Sequence, residues 1–236
     1  MKSHKKKRYN TLFFDLDRTL WDFDSSALIT FKEIYAAHHL AEMGIPSVFE
    51  FLKAYHIHND ELWAQYRKGE ITKENLRGLR FLLTLKDFDV ENKQLAENIG
   101  HDYVKISPLR VSLYPYAKEI LAYLQPNYKL HLITNGFSEV QTTKLKSSGL
   151  GKYFEEVITS EEAGHKKPDP RIFEFAIKKT GAHIHKSIMI GDDPEVDILG
   201  AANFGMDQIL FDPDYKFSQN GSTFYINKLE ELKGIF

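Results

Sequence analysis

A doubly wound, Rossmann-like α/β fold with an all-helical insertion is what this 236-residue sequence predicts, on three observations. Short apolar runs that stop abruptly at polar or glycine residues recur: "TLFFDLD", "KLHLITNG", "EEVITS" and "SIMIGDD". Helical patterns closed by glycine separate the later runs, and residues 21 to 111 hold helical periodicity with no strand pattern. Compact apolar runs mark strands buried on both faces, and strands alternating with helices imply parallel crossover units.

The elements follow in chain order. The basic N-terminus "MKSHKKKRYN" reads as a solvated tail, because the apolar run behind it stops at Asp15, far short of a secretion signal. "TLFFDLD" is the first strand. In the insertion, Val48, Phe51, Leu52 and Tyr55 fall at i, i+3, i+4 and i+7, Leu76, Leu79 and Leu83 share a helical face, and Leu95, Ile99 and Tyr103 share another. After the second strand come "SEVQTTKLKSSGL", "DPRIFEFAIKKTG" and "DILGAANFGM" as helices, with "QILFD" and "STFYIN" completing the sheet. The expected division is an α/β core of residues 1–20 plus 112–236 and an all-helical insertion of residues 21–111.

Composition narrows the function. With 42% hydrophobic and 27% charged residues the chain has the balance of an ordinary globular protein. A formal net charge of −2 provides no broad field for a nucleic acid polymer or an anionic membrane, so any bound anion must be held by local groups. No apolar run approaches the ~18 residues of a membrane span. The absence of cysteine excludes thiolate chemistry and fits a cytoplasmic location. The ten histidines show no metal spacing, and His56, His58, His183 and His185 read as surface positions. Oligomeric state is left open.

Ligands of an open parallel sheet bind beyond the carboxyl ends of its strands, so the residues that finish each strand belong together. They are Asp15 and Asp17, then Thr134 and Asn135, then Asp192 and Asp193, with Lys166 and Lys167 of "GHKKPDP" on the same edge. Two aspartates two residues apart repel each other, and a plain strand end has little use for them. Magnesium prefers such hard oxygen ligands, so Asp15, Asp17 and Asp192 are the expected metal residues. An ionised Asp15 can then act as a nucleophile toward phosphorus.

With these four motifs the chain resembles the haloacid-dehalogenase-like hydrolases, a superfamily dominated by magnesium-dependent phosphatases. "DLDRT", "LITNG", the lysine before proline in "HKKPDP" and "GDDPEVD" match its motifs in order. The resemblance implies that Asp15 forms an aspartyl-phosphate and that Asp17 protonates the leaving alkoxide and later deprotonates water. It implies that Thr134 holds phosphate oxygens, Lys167 stabilises charge at the nucleophile, Asp192 is the third metal carboxylate, and Asp197 orients outer groups. Lys166 and Asp193 stand beside their matched neighbours and compete for those roles. Arg18 stands where many members have glycine.

Within that resemblance, "LWAQYRKGEIT", "LRF", "ITNGF" and "DILGA" are similar to a cytosolic nucleotidase branch that hydrolyses pyrimidine nucleoside 5′-monophosphates. Asn135, Phe23, Trp63 and Arg80 are the substrate-binding candidates, the two aromatics by stacking on a base. The expected partner is a small phosphorylated metabolite. A sugar-phosphate or other small-metabolite phosphatase is the alternative. A haloacid dehalogenase, which needs no acid for its halide, and a non-catalytic phosphate-binding module rank behind.

Overall fold

The computed structural model describes residues 9–217 and 221–236. The basic tail expected before Tyr9 lies outside them. The chain divides into two compact units, one running up to Asp22 and resuming at Ser112, the other being Phe23–Val111.

The first unit is an α/β sheet. In chain order the strands are β1 (Thr11–Phe14), β2 (Lys129–Thr134), β3 (Glu156–Thr159), β4 (Ser187–Gly191), β5 (Asp207–Phe211) and β6 (Phe224–Ile226). They lie in the order β3-β2-β1-β4-β5-β6, and every neighbouring pair is parallel. β1 and β4 are buried along their whole length, as expected for central strands covered by helices on both faces. On one face Phe13, Ile133, Ile158 and Met189 pack with Ile172, Phe173 and Ala176 and with Ala201. The chain runs outward from β1 to β2 and β3, then crosses to β4 on the other side. This reversal falls between β1 and β4, and the carboxyl ends of strands at such a switch point are where open parallel sheets bind ligands.

The second unit is helical: α1 (Phe23–Ala37), α2 (Val48–Lys68), α3 (Lys73–Lys86) and α4 (Lys93–Ile106). Ser47, Thr72 and Asn92 cap the last three by accepting a main-chain N–H three residues on. Phe31, Phe51, Tyr55, Phe81, Ile99 and Tyr103 form its apolar centre.

The sheet unit's own helices are α5 (Ala117–Leu124), α6 (Ser138–Ser148), α7 (Ser160–Ala163), α8 (Pro170–Thr180), α9 (Gly200–Phe204) and α10 (Leu232–Ile235). Gly149, Gly181 and Gly205 close α6, α8 and α9 with positive φ, as their sequences predict. "DILGAANFGM" departs from a plain helix. It continues a π-helical turn over Pro194–Leu199, where the N–H groups of Asp197 and Ile198 both donate to the Asp193 carbonyl. His183 and His185 are exposed, whereas His58 is largely covered and pairs with Asp87 at 2.8 Å.

Candidate active site

β1 delivers Asp15 directly from its buried carboxyl end, where the Asp15 N–H still bonds the Ile190 carbonyl of β4 at 2.9 Å. The chain then turns sharply: Arg18 takes φ 64, the left-handed region that favours glycine, and its N–H closes on the Trp21 carbonyl at 2.8 Å. That turn lets Thr19 reach back, its hydroxyl 3.4 Å from Asp15 Oδ2 and 3.2 Å from Asp192 Oδ1.

Lys167 is a buried cation beside Asp15, with 1% of its surface exposed. Its Nζ donates to Asp15 Oδ1 at 2.6 Å, Asp197 Oδ1 at 2.6 Å and the Ile133 carbonyl at 2.9 Å. Three ligand-capable carboxylates, Asp15, Asp192 and Asp197, lie within 4.8 Å of one another. One ammonium does not balance them. Burial, with Asp197 and Asp17 as nearby negative charges, pushes the Asp15 carboxyl up to about 7 against the pull of Lys167. Asp192 is also raised well above the ordinary carboxylate range, by burial and then by Asp197 and Asp15, with Arg18 opposing. Burial raises Asp197 too, against Lys167. Burial works against the Lys167 ammonium, yet Asp15 and Asp197 together raise its pKa.

A surplus of buried negative charge presented by hard oxygens is what a divalent cation such as magnesium would relieve. Asp197 has both oxygens engaged, Oδ1 by Lys167 and Oδ2 by the Asp193 N–H at 3.2 Å. It approaches so closely that a Cβ on Gly191 would lie 2.3 Å from Asp197 Oδ2. Asp15, Asp192 and Asp197 are the side chains that could hold a metal, Asp197 with Lys167 and the Asp193 N–H already on its two oxygens.

Asp17, expected in the metal set, has its carboxylate placed elsewhere in this structure. Its carboxylate is not among the three clustered ones. Oδ2 accepts from Gln141 Nε2 at 2.7 Å, and Oδ1 is paired with the Lys144 ammonium, both residues lying on α6. The physical reason is charge: a half-buried carboxylate moves to a cation and an amide donor rather than to two more carboxylates.

Asn135, expected at the substrate, is engaged by the chain itself. Its amide spans the lysine loop, with Nδ2 donating to the Lys167 carbonyl at 2.9 Å and Oδ1 accepting the Lys167 N–H at 2.8 Å. The side chain is thus spent on fixing Lys167. Of the two competing neighbours, Asp193 caps the π turn by accepting from the N–H groups of Glu195 and Val196, and Lys166 is partly exposed. Lys167 and Asp192 are the ones brought to the cluster.

In the helical unit Phe23 packs on the apolar centre and meets His56 edge-on at 6.4 Å. Trp63 is partly exposed and lies edge-on to Tyr66 at 5.6 Å. Arg80, also expected at the substrate, is placed inside the helical unit. It is 4% exposed, donates from one terminal nitrogen to Tyr55 and Asn59 at 3.2 Å each, and lies 5.0 Å from the ring centres of Phe81 and Tyr103. It is part of that unit's interior.

Fold and site together define a hydrolase. The family model for haloacid dehalogenase-like hydrolases matches residues 9–205, and the chain belongs to that family. It is 29% identical to the HAD-hydrolase YfnB of Bacillus subtilis (strain 168), over 96% of this chain and 94% of the relative. The crystal structure of YfnB bound to magnesium has a TM-score of 0.86 and 28% identity, covering 97% of this chain and 99% of that one. Pyrimidine 5′-nucleotidase YjjG of Escherichia coli (strain K12) is 30% identical over 96% of this chain and 97% of its own. A glyceraldehyde 3-phosphate phosphatase of Methanothermobacter thermautotrophicus is 32% identical over 84% of each chain. The enzyme class is phosphoric monoester hydrolase.

Proposed function

We propose that the enzyme hydrolyses nucleoside 5′-monophosphates, pyrimidine ones foremost, through an aspartyl-phosphate on Asp15 and with magnesium as cofactor. The observation that carries the chemistry is the buried carboxylate of Asp15 held against Lys167, next to a second carboxylate, Asp17, kept apart from it. A nucleophile and a proton donor must not share one proton, and this separation gives each its own surroundings.

In the first step an Asp15 oxygen attacks phosphorus, the bond from phosphorus to the alkyl oxygen breaks, and Asp17 gives its proton to the leaving alkoxide. In the second, Asp17 takes a proton from water as the water oxygen attacks the same phosphorus. The bond to Asp15 breaks, and inorganic phosphate leaves with both aspartates restored. Lys167 stabilises charge beside Asp15, and the Thr134 hydroxyl holds a phosphoryl oxygen. When bound at Asp15 and Asp192, magnesium would offset the carboxylate surplus and polarise the phosphoryl group. The helical unit serves as the cap that selects substrate, with Phe23 and Trp63 as base-stacking candidates.

The nucleotide assignment is supported by the likeness to YjjG over almost the whole chain. A sugar-phosphate reading is supported by the likeness to the glyceraldehyde 3-phosphate phosphatase. A panel of pyrimidine nucleotides, purine nucleotides and sugar phosphates, assayed with magnesium, decides between them. Higher kcat/KM on pyrimidine nucleotides, reduced by F23L or W63L, is the expected result. Better turnover of sugar phosphates would replace the nucleotide reading. D15N is expected to abolish turnover of every substrate and trapping of an acyl phosphate, and turnover within tenfold of wild type would overturn the mechanism.

A further inference from the structure

Gln141 lies on the first half of α6, 1% exposed, and is a polar side chain where a helix normally turns apolar residues inward. Its Nε2 donates to two acceptors at once, Asp17 Oδ2 at 2.7 Å and Thr134 Oγ1 at 2.9 Å. The amide orientation follows from chemistry, since the opposite one would set a carbonyl oxygen against a carboxylate. Among the described residues Gln141 Oε1 has no partner, so the side chain is held by these two donations and by packing. Room for it is made by Gly136: a Cβ there would fall 1.8 Å from Gln141 Nε2 and 2.6 Å from its Cδ.

Thr134 Oγ1 accepts a second hydrogen bond from the Gly136 N–H at 3.0 Å. A hydroxyl has two acceptor positions and one proton. With both acceptor positions filled by N–H groups, the Thr134 proton is left to donate. One turn along α6, Lys144 is 5% exposed, pairs with the other oxygen of Asp17, and lies 5.1 Å from the centre of the Trp21 ring.

We propose that Gln141 is a positioning residue that sets two groups at once: it fixes the Thr134 hydroxyl as a hydrogen-bond donor toward a phosphoryl oxygen, and with Lys144 it holds the Asp17 carboxylate in line for the leaving group. This rests on the reading of Asp17 as the proton donor in phosphomonoester hydrolysis. Neither Gln141 nor Lys144 touches the reacting atoms in this assignment. They act through Thr134 and Asp17.

The test compares an alkyl phosphate, whose leaving alkoxide needs a proton, with p-nitrophenyl phosphate, whose leaving group does not. Kinetics of Q141M, G136A, K144M, K144R and D17N are measured with both substrates, at temperatures below each variant's Tm. A positioned acid contributes on the order of 10²–10⁴ in rate. Q141M is expected to lose roughly tenfold or more of kcat on the alkyl ester and under about threefold on the aryl ester, as expected for partial loss of that contribution. G136A, which displaces the amide without changing it, is expected to reproduce the pattern, and serves if Q141M does not fold. K144M is expected to show the same bias and K144R to restore it. Equal losses on both esters, or no loss, in both Q141M and G136A overturn the inference while a biased D17N keeps the acid role. An unbiased D17N overturns the acid role and the inference with it.

Discussion

Lys167 holds its ammonium 2.6 Å from Asp15 Oδ1, and neither side chain meets much solvent. Removing one partner of a buried pair leaves an uncompensated charge, at a cost of about 3–5 kcal/mol. K167M is therefore expected to lose activity and to melt well below wild type. Because Asp197 is the second carboxylate on the same ammonium, K167M/D197N is expected to recover part of that stability without recovering turnover. Chemical denaturation of the four-member cycle measures the coupling, and additive losses would refute the shared pairing.

Magnesium should stabilise the protein in a pH-dependent way. Asp15 titrates at about 7 in the fold against an ordinary 3.8, so its raised pKa contributes stability that is complete below 3.8 and lost as pH rises through about 7. Asp192 is raised in the same direction. A cation restores at high pH what deprotonation removes, and at low pH it must displace protons. At a hundredfold excess over Kd, binding adds about 2.7 kcal/mol. Thermal melts with and without magnesium are expected to differ by several degrees at pH 8 and to converge at pH 5. D192N is expected to abolish the difference, and an equal gain at both pH values would count against the site.

His131 on β2 predicts an opposite dependence. It is 1% exposed, its ring is tilted against that of Phe13 with centres 5.3 Å apart, and neither ring nitrogen has a partner among the described residues. Burial lowers its pKa below the ordinary 6.5, with Glu155 and Glu156 opposing and Lys129 assisting. A histidine kept neutral by the fold contributes stability present above 6.5 and lost as pH falls below it, where the unfolded chain takes up the proton. H131L is expected to flatten the decline of Tm between pH 6.5 and 5 relative to wild type. Parallel wild-type and variant curves would contradict this.

Asp15, Thr134, Lys167 and Asp192 were legible in the sequence because each finishes or follows an apolar strand of one parallel sheet, and such a sheet gathers its carboxyl ends along one edge. The direction of Asp17 was not. It depends on Gln141 and Lys144, which in "SEVQTTKLKSSGL" look like the solvent face of a helix. The available signal was a shortage: Gln141, Lys144, Leu145 and Ser148 share the buried face at i, i+3, i+4 and i+7, and a helix with one apolar residue on that stripe must turn polar groups inward. The clamp made by Asn135 was hidden for a related reason, since an amide at a strand end reads equally well as a ligand contact or as a clamp on the neighbouring loop. The helical unit's periodicity located α2, α3 and α4, but periodicity carries no information on which inward polar side chain meets another.

Arg80 carries the last prediction. A guanidinium buried between Tyr55, Phe81 and Tyr103, with Nε lacking a partner among the described residues, is held by aromatic faces and two neutral acceptors. Truncating it deletes that packing, opens a cavity in the centre of the helical unit and strips a donor from Asn59 and Tyr55. R80A is accordingly expected to cost about 2–5 kcal/mol, the range for truncating a large buried side chain to alanine. A contact with substrate would act differently, raising KM while sparing the fold. Tm and KM measured on the same preparation separate the two. A lowered Tm with KM within about twofold, too small a change to represent a lost charged hydrogen bond, supports the interior role. A tenfold rise in KM at unchanged Tm would return Arg80 to the substrate.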